Sequence, residues 1–112
     1  MIKKIVFATA LMFASATVMA TDTDVVKPNF ANGKQLSERC LACHNESRLE
    51  EFNYFPYLEG QKYKYIVRQL NNFKLGLRKS PFMEGEVAYL SGQDMIDVAY
   101  YFSQQPKKKP KQ

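Results

Sequence analysis

The sequence predicts an all-α fold of three or more short helices joined by long loops. Apolar side chains recur at helical spacing in the second half of the chain, and no segment shows the apolar–polar alternation of a strand. The predicted loops are unusually long for a chain of 112 residues. Long irregular loops in so small a domain suggest that they wrap around a bound group, which would complete a core that the chain alone makes only in part.

The first twenty residues have the pattern of a secretory signal peptide. Lys3 and Lys4 form a basic start, an apolar run follows, and the small-residue ending V-M-A matches a signal-peptidase site. The run is short for a membrane span and rich in Ala, Ser and Thr. We expect cleavage after Ala20, export to a periplasm, and no membrane span in the mature chain.

The mature chain is expected to begin with an irregular lead and a short helix. The segment NGKQLSERCLAC, residues 32–43, places Leu36 and Cys40 four residues apart and so predicts a helix that runs into the cysteines. The following segment NESRLEEFNYFPYLEGQ, residues 45–61, is polar and aromatic without a helical period. It is predicted to be a loop.

A second helix is predicted in QKYKYIVRQLNNFKLG, residues 61–76. Its apolar residues fall on one helical face, and Gly76 is a suitable stop. The members of this face are Tyr63, Ile66, Val67, Leu70 and Phe73.

Residues 77–90 are expected to be irregular, because Pro81 and Gly85 interrupt them. The last helix is predicted to begin at Ser91, which with Asp94 three residues later forms a capping pattern. Met95, Ala99 and Phe102 supply its apolar stripe, and Pro106 ends it. One domain over residues 21–105 is therefore expected, followed by a basic, proline-broken and disordered tail over 106–112.

The charge of the chain is mildly basic, with 16 basic and 11 acidic residues. This excess is too small to indicate nucleic-acid binding. Between residues 60 and 83 the chain has no acidic residue and six basic ones. These six either attract an acidic partner or form an ordinary solvated helix face. They are Lys62, Lys64, Arg68, Lys74, Arg78 and Lys79.

The segment CLACH holds both cysteines of the chain, Cys40 and Cys43, and its only histidine, His44. Two thiols three residues apart lie on the same side of a helical turn and can form thioethers with the two vinyl groups of a haem. The histidine that follows becomes the proximal ligand of the iron. This spacing therefore predicts one covalently bound haem c.

Three other interpretations of CLACH have less support. A chance occurrence would not explain why the chain has no other Cys or His. A dithiol oxidoreductase would place its C-x-x-C at the start of a helix after a strand, and no strand is predicted. A zinc site needs four ligands, and the chain has no further Cys or His to complete one.

The distal iron ligand can be narrowed by elimination. A second histidine is absent, and the mature chain contains two methionines, Met83 and Met95. Met95 falls on the apolar stripe of the last predicted helix, where packing is the expected role. Met83 lies in the proline-led segment, 39 residues after His44, and is the predicted ligand. The alternative is a five-coordinate iron.

The sequence resembles the bacterial class I cytochromes c, most closely their c4-like and c553-like group. The segments that carry the resemblance are CLACH, PYLEGQ, YIVRQLNNFKLGLR and RKSPFM with LSGQDMIDVAYYF, which together run from about Gly33 to Phe102. The resemblance implies the small class I fold around one haem, with the last helix packed across the first. It also implies that Met83 is the distal ligand and that the carbonyl of Pro56 orients His44. The chain departs from the family at Asn45, where a glycine usually follows the histidine.

The function that the resemblance implies is one-electron transfer between exported respiratory redox proteins, with no catalysis of its own. Acidic docking faces on those partners would match the basic residues after position 60. A first alternative is an electron-transfer subunit of a periplasmic dehydrogenase or reductase, for which Tyr54, Phe55 and Tyr57 would form an exposed contact patch. A second alternative is an open-site haem enzyme or gas sensor.

Overall fold

The computed structural model describes residue 10 and residues 12–17, 26–52 and 54–109. These residues form five helices and no strand, which confirms the all-α prediction. The helices are α1 (Phe30–Leu41), α2 (Glu46–Glu51), α3 (Tyr63–Lys74), α4 (Pro81–Val87) and α5 (Gly92–Ser103). None of the helices in the described ranges is long and apolar enough to cross a membrane. The predicted cleavage after Ala20 falls outside the described residues.

Helices α1 and α5 cross in close contact, and a glycine permits the approach. A Cβ placed on Gly33 would lie 2.1 Å from the carbonyl oxygen of Asp97, so no larger residue fits there without separating the helices. Beside this point, the ring of Phe30 packs 5.3 Å from that of Tyr101. The packing of the last helix across the first, which the resemblance implied, is therefore present.

A buried carboxylate ties the start of α1 to α5. Asp97 is 1% exposed, and its oxygens accept hydrogen bonds from the backbone N–H of Asn29 at 2.8 Å and from Nδ2 of Asn32 at 2.8 Å. Gln93 Nε2, one turn earlier on α5, donates a third at 2.7 Å. A buried charge is tolerable when its lone pairs are filled in this way. The positive end of the α1 dipole also favours an anion at this place.

The apolar core forms where α3, α4 and α5 meet. The predicted inner face of α3 is confirmed at Ile66, Leu70 and Phe73, which are buried, whereas Tyr63 and Val67 are half-buried. The predicted stripe of α5 is also confirmed, since its three members are at most 3% exposed. The buried core consists of Ile66, Leu70, Phe73, Val87, Met95, Val98, Ala99 and Phe102.

Two predicted helix ends are confirmed in detail. Ser91 caps α5, its side chain accepting from Asp94 N–H while the Asp94 carboxylate accepts from Ser91 N–H, a complete capping box. Gly76 follows α3 with a φ of +71°, the left-handed conformation in which glycine commonly ends a helix.

Two segments predicted to be irregular contain short helices instead. Within residues 77–90, Pro81 does not break a helix but begins α4, where its missing N–H costs nothing. Ser80 caps this helix by accepting from Met83 N–H at 3.3 Å. The loop prediction for 45–61 was likewise wrong at its start, because Asn45 caps α2 by accepting from Arg48 N–H at 3.0 Å. At each of these two helices, the sequence contains an N-cap residue, but no long helical period of apolar residues follows it.

The basic tail that was predicted to be disordered begins at Pro106, and the structure describes it as far as Lys109. Lys107 lies directly against Gly60, and Lys108 Nζ lies 3.5 Å from Glu59 Oε1. The first part of the tail is thus anchored on the segment that precedes α3.

We predict that Asp97→Asn lowers the free energy of unfolding by about 2–3 kcal/mol, because an amide NH₂ would face the donors that the carboxylate now satisfies. Urea unfolding followed by far-ultraviolet circular dichroism measures this change. Glu38→Gln, an exposed carboxylate on α1, is the control and should change stability by less than about 0.5 kcal/mol. An equal effect of the two substitutions would contradict the role given to Asp97.

Candidate functional site

The CLACH residues occupy the end of α1 and the turn that continues it. Cys40 lies in the last turn of the helix, and the backbone N–H groups of Cys43 and His44 both donate to the carbonyl of Cys40, at 3.2 and 2.9 Å. Helical hydrogen bonding thus persists one turn beyond α1. It places the two thiols and the imidazole on one short, rigid turn.

His44 is held by a hydrogen bond to the backbone. Its side chain is 6% exposed, and Nδ1 lies 2.8 Å from the carbonyl oxygen of Pro56. A carbonyl oxygen can only accept, so Nδ1 is the donor, and in the neutral imidazole Nε2 then keeps a lone pair. The imidazole is therefore fixed in the tautomer and orientation that a ligand bonding through Nε2 requires. This hydrogen bond has the geometry required for the role that the resemblance implied for Pro56, which is to orient His44.

The two cysteines do not form a disulfide, and they lie in different environments. Cys43 is exposed, whereas Cys40 is half-buried and its Sγ donates to the carbonyl of Leu36 at 3.8 Å. Burial, with a smaller contribution from the nearby carboxylate of Glu86, raises the pKa of the Cys40 thiol to about 11. Dithiol exchange requires a thiol whose pKa is lowered toward neutrality. The environment of Cys40 therefore argues against the oxidoreductase interpretation.

A cluster of aromatic rings joins the His44 side of the site to α4. The ring of Phe55 lies 6.0 Å from the imidazole of His44 and 6.3 Å from the ring of Phe82. Phe82 directly precedes Met83, whose half-buried side chain packs against the core. The ion pair of Arg39 Nε with Glu86 Oε2, at 2.5 Å, adds a second link between α1 and α4.

An apolar cavity of about 310 Å³ opens beside Cys43. Its volume is at the lower end of the range for small-ligand sites, roughly 300–1,000 Å³. The cavity is lined by Cys43, Arg48, Phe52, Tyr54, Phe55 and Phe82.

These residues fit a haem. The two thiols and the oriented imidazole share one turn, and the ring cluster extends from this turn to Phe82, next to Met83. The cavity beside Cys43 is lined mostly by aromatic side chains. The described residues contain no group of three or more Cys, His, Asp or Glu side chains that could hold a metal ion by themselves. The zinc interpretation thus gains no support from the described part of the chain.

Sequence reasoning missed Phe82 as a site residue, although its position next to Met83 was a signal. The aromatic patch predicted from Tyr54, Phe55 and Tyr57 is divided. Tyr54 is 62% exposed, whereas Phe55 and Tyr57 are half-buried and Phe55 belongs to the ring cluster. Phe82, which is 64% exposed, lies with Tyr54 at the rim of the cavity. The exposed patch therefore contains Phe82 and not the predicted Tyr57.

The six basic residues between positions 60 and 83 are all exposed. Arg78 and Lys79, at the end of the segment, interact with polar side chains. Arg78 donates to Gln69 Oε1 at 2.8 Å, and Lys79 Nζ lies 3.9 Å from Glu84 Oε1. Lys62, Lys64 and Arg68 have no ion-pair partner among the described residues, so their charge faces solvent.

Asn45, the departure from the family pattern, has two local functions. Its side-chain oxygen caps α2, and its Nδ2 donates to the carbonyl of Leu41 at 2.9 Å. The side chain therefore bridges the end of α1 and the start of α2, across the turn that holds His44. A glycine at this position would make neither bond.

Known cytochromes are similar to the chain, although no family model matches it. It is 36% identical to the cytochrome c4 of Pseudomonas aeruginosa over 75 residues, which cover 67% of this chain and 37% of that protein. It is 38% identical to the cytochrome c4 of Thiocapsa roseopersicina over 68 residues, 61% of this chain and 35% of that protein. The chain thus spans little more than a third of the length of these relatives. A third relative, the cytochrome subunit of sulfide dehydrogenase from Chlorobaculum tepidum, is 29% identical over 106 residues, which cover 90% of this chain and 96% of that protein.

We predict that Asn45→Ala destabilises the protein by about 1 kcal/mol, the usual loss for an N-cap. Asn45→Asp keeps the capping oxygen and should recover most of that loss in urea unfolding. If Asp and Ala were equally destabilising, the bond from Nδ2 to Leu41, and not the cap, would be the main contribution of Asn45.

Proposed function

We propose that this chain, a bacterial class I c-type cytochrome of the c4-like type, carries single electrons between exported redox proteins. The observation that carries the proposal is the Nδ1–H bond from His44 to Pro56, made by the histidine of a C-x-x-C-H turn. It leaves Nε2 available for iron. A bound haem c supplies a reversible Fe(III)/Fe(II) couple at this position.

The residues of the site have separate roles in this proposal. Cys40 and Cys43 attach the cofactor through thioethers, and His44 is the proximal ligand. Pro56 fixes the orientation of the imidazole and increases its basicity through the hydrogen bond at Nδ1. Met83 on α4 is the distal ligand, and its thioether favours the reduced state.

The aromatic cluster limits the access of water to His44. Phe55 covers one edge of the imidazole, and Phe82 continues this apolar wall toward Met83. With His44 and Met83 as its ligands, a bound haem would have no open site for a substrate, and the protein would act by electron transfer and not by catalysis of its own. The open-site enzyme or sensor is accordingly the weaker alternative.

The partners are redox proteins in the periplasm, to which the predicted signal peptide directs the chain. Lys62, Lys64 and Arg68 present unpaired charge on the exposed side of α3. Unpaired surface cations raise the rate of encounter with an acidic surface, more at low than at high ionic strength. We assign this face to the docking of acidic partners.

A second candidate function is supported by one of the comparisons. The cytochrome subunit of sulfide dehydrogenase aligns with this chain over nearly its whole length, whereas the cytochromes c4 are longer proteins. A subunit of a larger oxidoreductase would use the same haem site and would remain bound to its partner. Purification of the tagged protein from its native host at low salt distinguishes the two: a stoichiometric larger protein indicates a subunit, and its absence a free carrier.

We predict that Met83→Ala abolishes the weak long-wavelength band by which oxidised c-type cytochromes report an iron–methionine bond. It should also lower the reduction potential by on the order of 0.1–0.3 V, part of the roughly 0.8 V range that axial ligands cover. Met95→Leu, a change in a buried core residue, is the control and should keep the band.

Carbon monoxide should bind the reduced Met83→Ala protein but not the wild type. Carbon monoxide binding by the wild type would instead indicate an open-site enzyme or sensor.

We predict that the double variant Lys64→Gln/Arg68→Gln slows electron transfer to an acidic redox partner several-fold at low ionic strength, and much less at high ionic strength, where charges are screened. Stopped-flow kinetics over a salt series measures the effect. Lys27→Gln/Lys34→Gln removes the same charge elsewhere, on exposed residues at the start of the domain, and should have a smaller effect. A wild-type rate independent of salt would remove the docking role of α3.

A further inference from the structure

A second cavity, of about 390 Å³, lies beside the CLACH turn, and its lining includes none of the predicted haem-binding residues. It is bordered by the end of α1, by the segment before α3, and by the end of α5 with the tail. Among the residues that line it are Leu41, Asn45, Glu59, Phe102, Gln105 and Lys108.

Glu59 places a carboxylate in this region with incomplete hydrogen bonding. The residue is 8% exposed, and its Oε2 is buried with no hydrogen-bond partner among the described residues. Its Oε1 lies 3.5 Å from Nζ of Lys108, which is 48% exposed. A buried carboxylate interacts with its surroundings more strongly than a surface charge does, because little water screens it.

Backbone contacts hold this pair in place. Gly60 N–H donates to the carbonyl of Phe102 at 2.9 Å, which joins the segment before α3 to the end of α5. Gly60 has a φ of +72°, and a Cβ on it would lie 2.6–2.8 Å from atoms of Lys107. Glycine therefore lets the tail run directly over this segment and brings Lys108 to Glu59.

The pair lies on the histidine side of the functional site. Glu59 follows Pro56 by three residues, and the carbonyl of Pro56 is the acceptor of the His44 hydrogen bond. The cavity wall also includes Leu41 and Asn45, which flank the Cys43–His44 turn. Glu59 is thus linked to the proximal ligand through the short segment 56–59, in which Glu59 is buried, Tyr57 and Leu58 are half-buried and Pro56 is exposed.

We propose that Glu59 and Lys108 are a charge pair that sets the reduction potential of the protein from the histidine side. This inference rests on the proposed function. The carboxylate stabilises the oxidised iron, which carries one more positive charge, and so lowers the potential. The positive charge of Lys108, in the tail, offsets part of this lowering of the potential.

The test is a redox titration of the haem-loaded protein at mildly alkaline pH. Glu59→Gln, which keeps the shape of the side chain, should raise the potential. Lys108→Gln should lower it, and should shift it much less in the Glu59→Gln background, because the charge that it offsets is then gone. Urea unfolding of the wild type, the two single variants and the double variant should show a coupling free energy between Glu59 and Lys108.

Matched controls separate this pair from general surface charge. Glu38→Gln and Lys109→Gln remove the same charges from exposed positions, and each should shift the potential several times less than its counterpart. A Glu59→Gln protein with the wild-type potential would overturn the inference while leaving the electron carrier intact. A wild-type protein with no haem spectrum or no reversible couple would instead overturn the proposed function.

Discussion

The structure depends on the close crossing of α1 and α5. Gly33 removes the steric barrier to this crossing, and Asp97 fixes its register by accepting hydrogen bonds from the first residues of α1. Helix α1 ends in the CLACH turn, and α5 supplies much of the core against which α3 packs. An error in the crossing would therefore displace the cysteines relative to the rest of the domain. A polar interaction at one end of α1 thus controls the position of reactive groups at the other.

Helix α5 positions the histidine side of the site as well, by a second route. The carbonyl of Phe102 accepts from Gly60 N–H and so anchors the segment whose Pro56 accepts from His44. Helix α5 thus positions both the turn that bears His44 and the carbonyl that orients it. Because α5 supports both sides, it holds in place the two partners of the 2.8 Å bond between Nδ1 of His44 and the carbonyl of Pro56.

The sequence predicted the parts of the molecule that have local signals. The C-x-x-C-H spacing identified the attachment turn, helical periodicity identified α3, and the Ser91–Asp94 pair identified the start of α5. Helices α2 and α4 were missed because they are six and seven residues long and have N-caps but no sustained apolar period. The bonds of Asp97 to α1, and the contact of Glu59 with Lys108, join residues far apart in the chain. No pattern in a single sequence reports such pairs.

The CLACH turn separates two environments with different physical properties. On one side, Cys43 opens on an aromatic cavity that also touches Phe55 and Phe82. On the other side, Leu41 and Asn45 border the cavity near the buried carboxylate of Glu59. An apolar environment determines whether a haem binds and excludes water, whereas a fixed charge changes the relative energy of its two oxidation states. Because these two properties come from different cavities beside one turn, we expect substitutions at Glu59 to alter the potential without altering the residues that hold the cofactor.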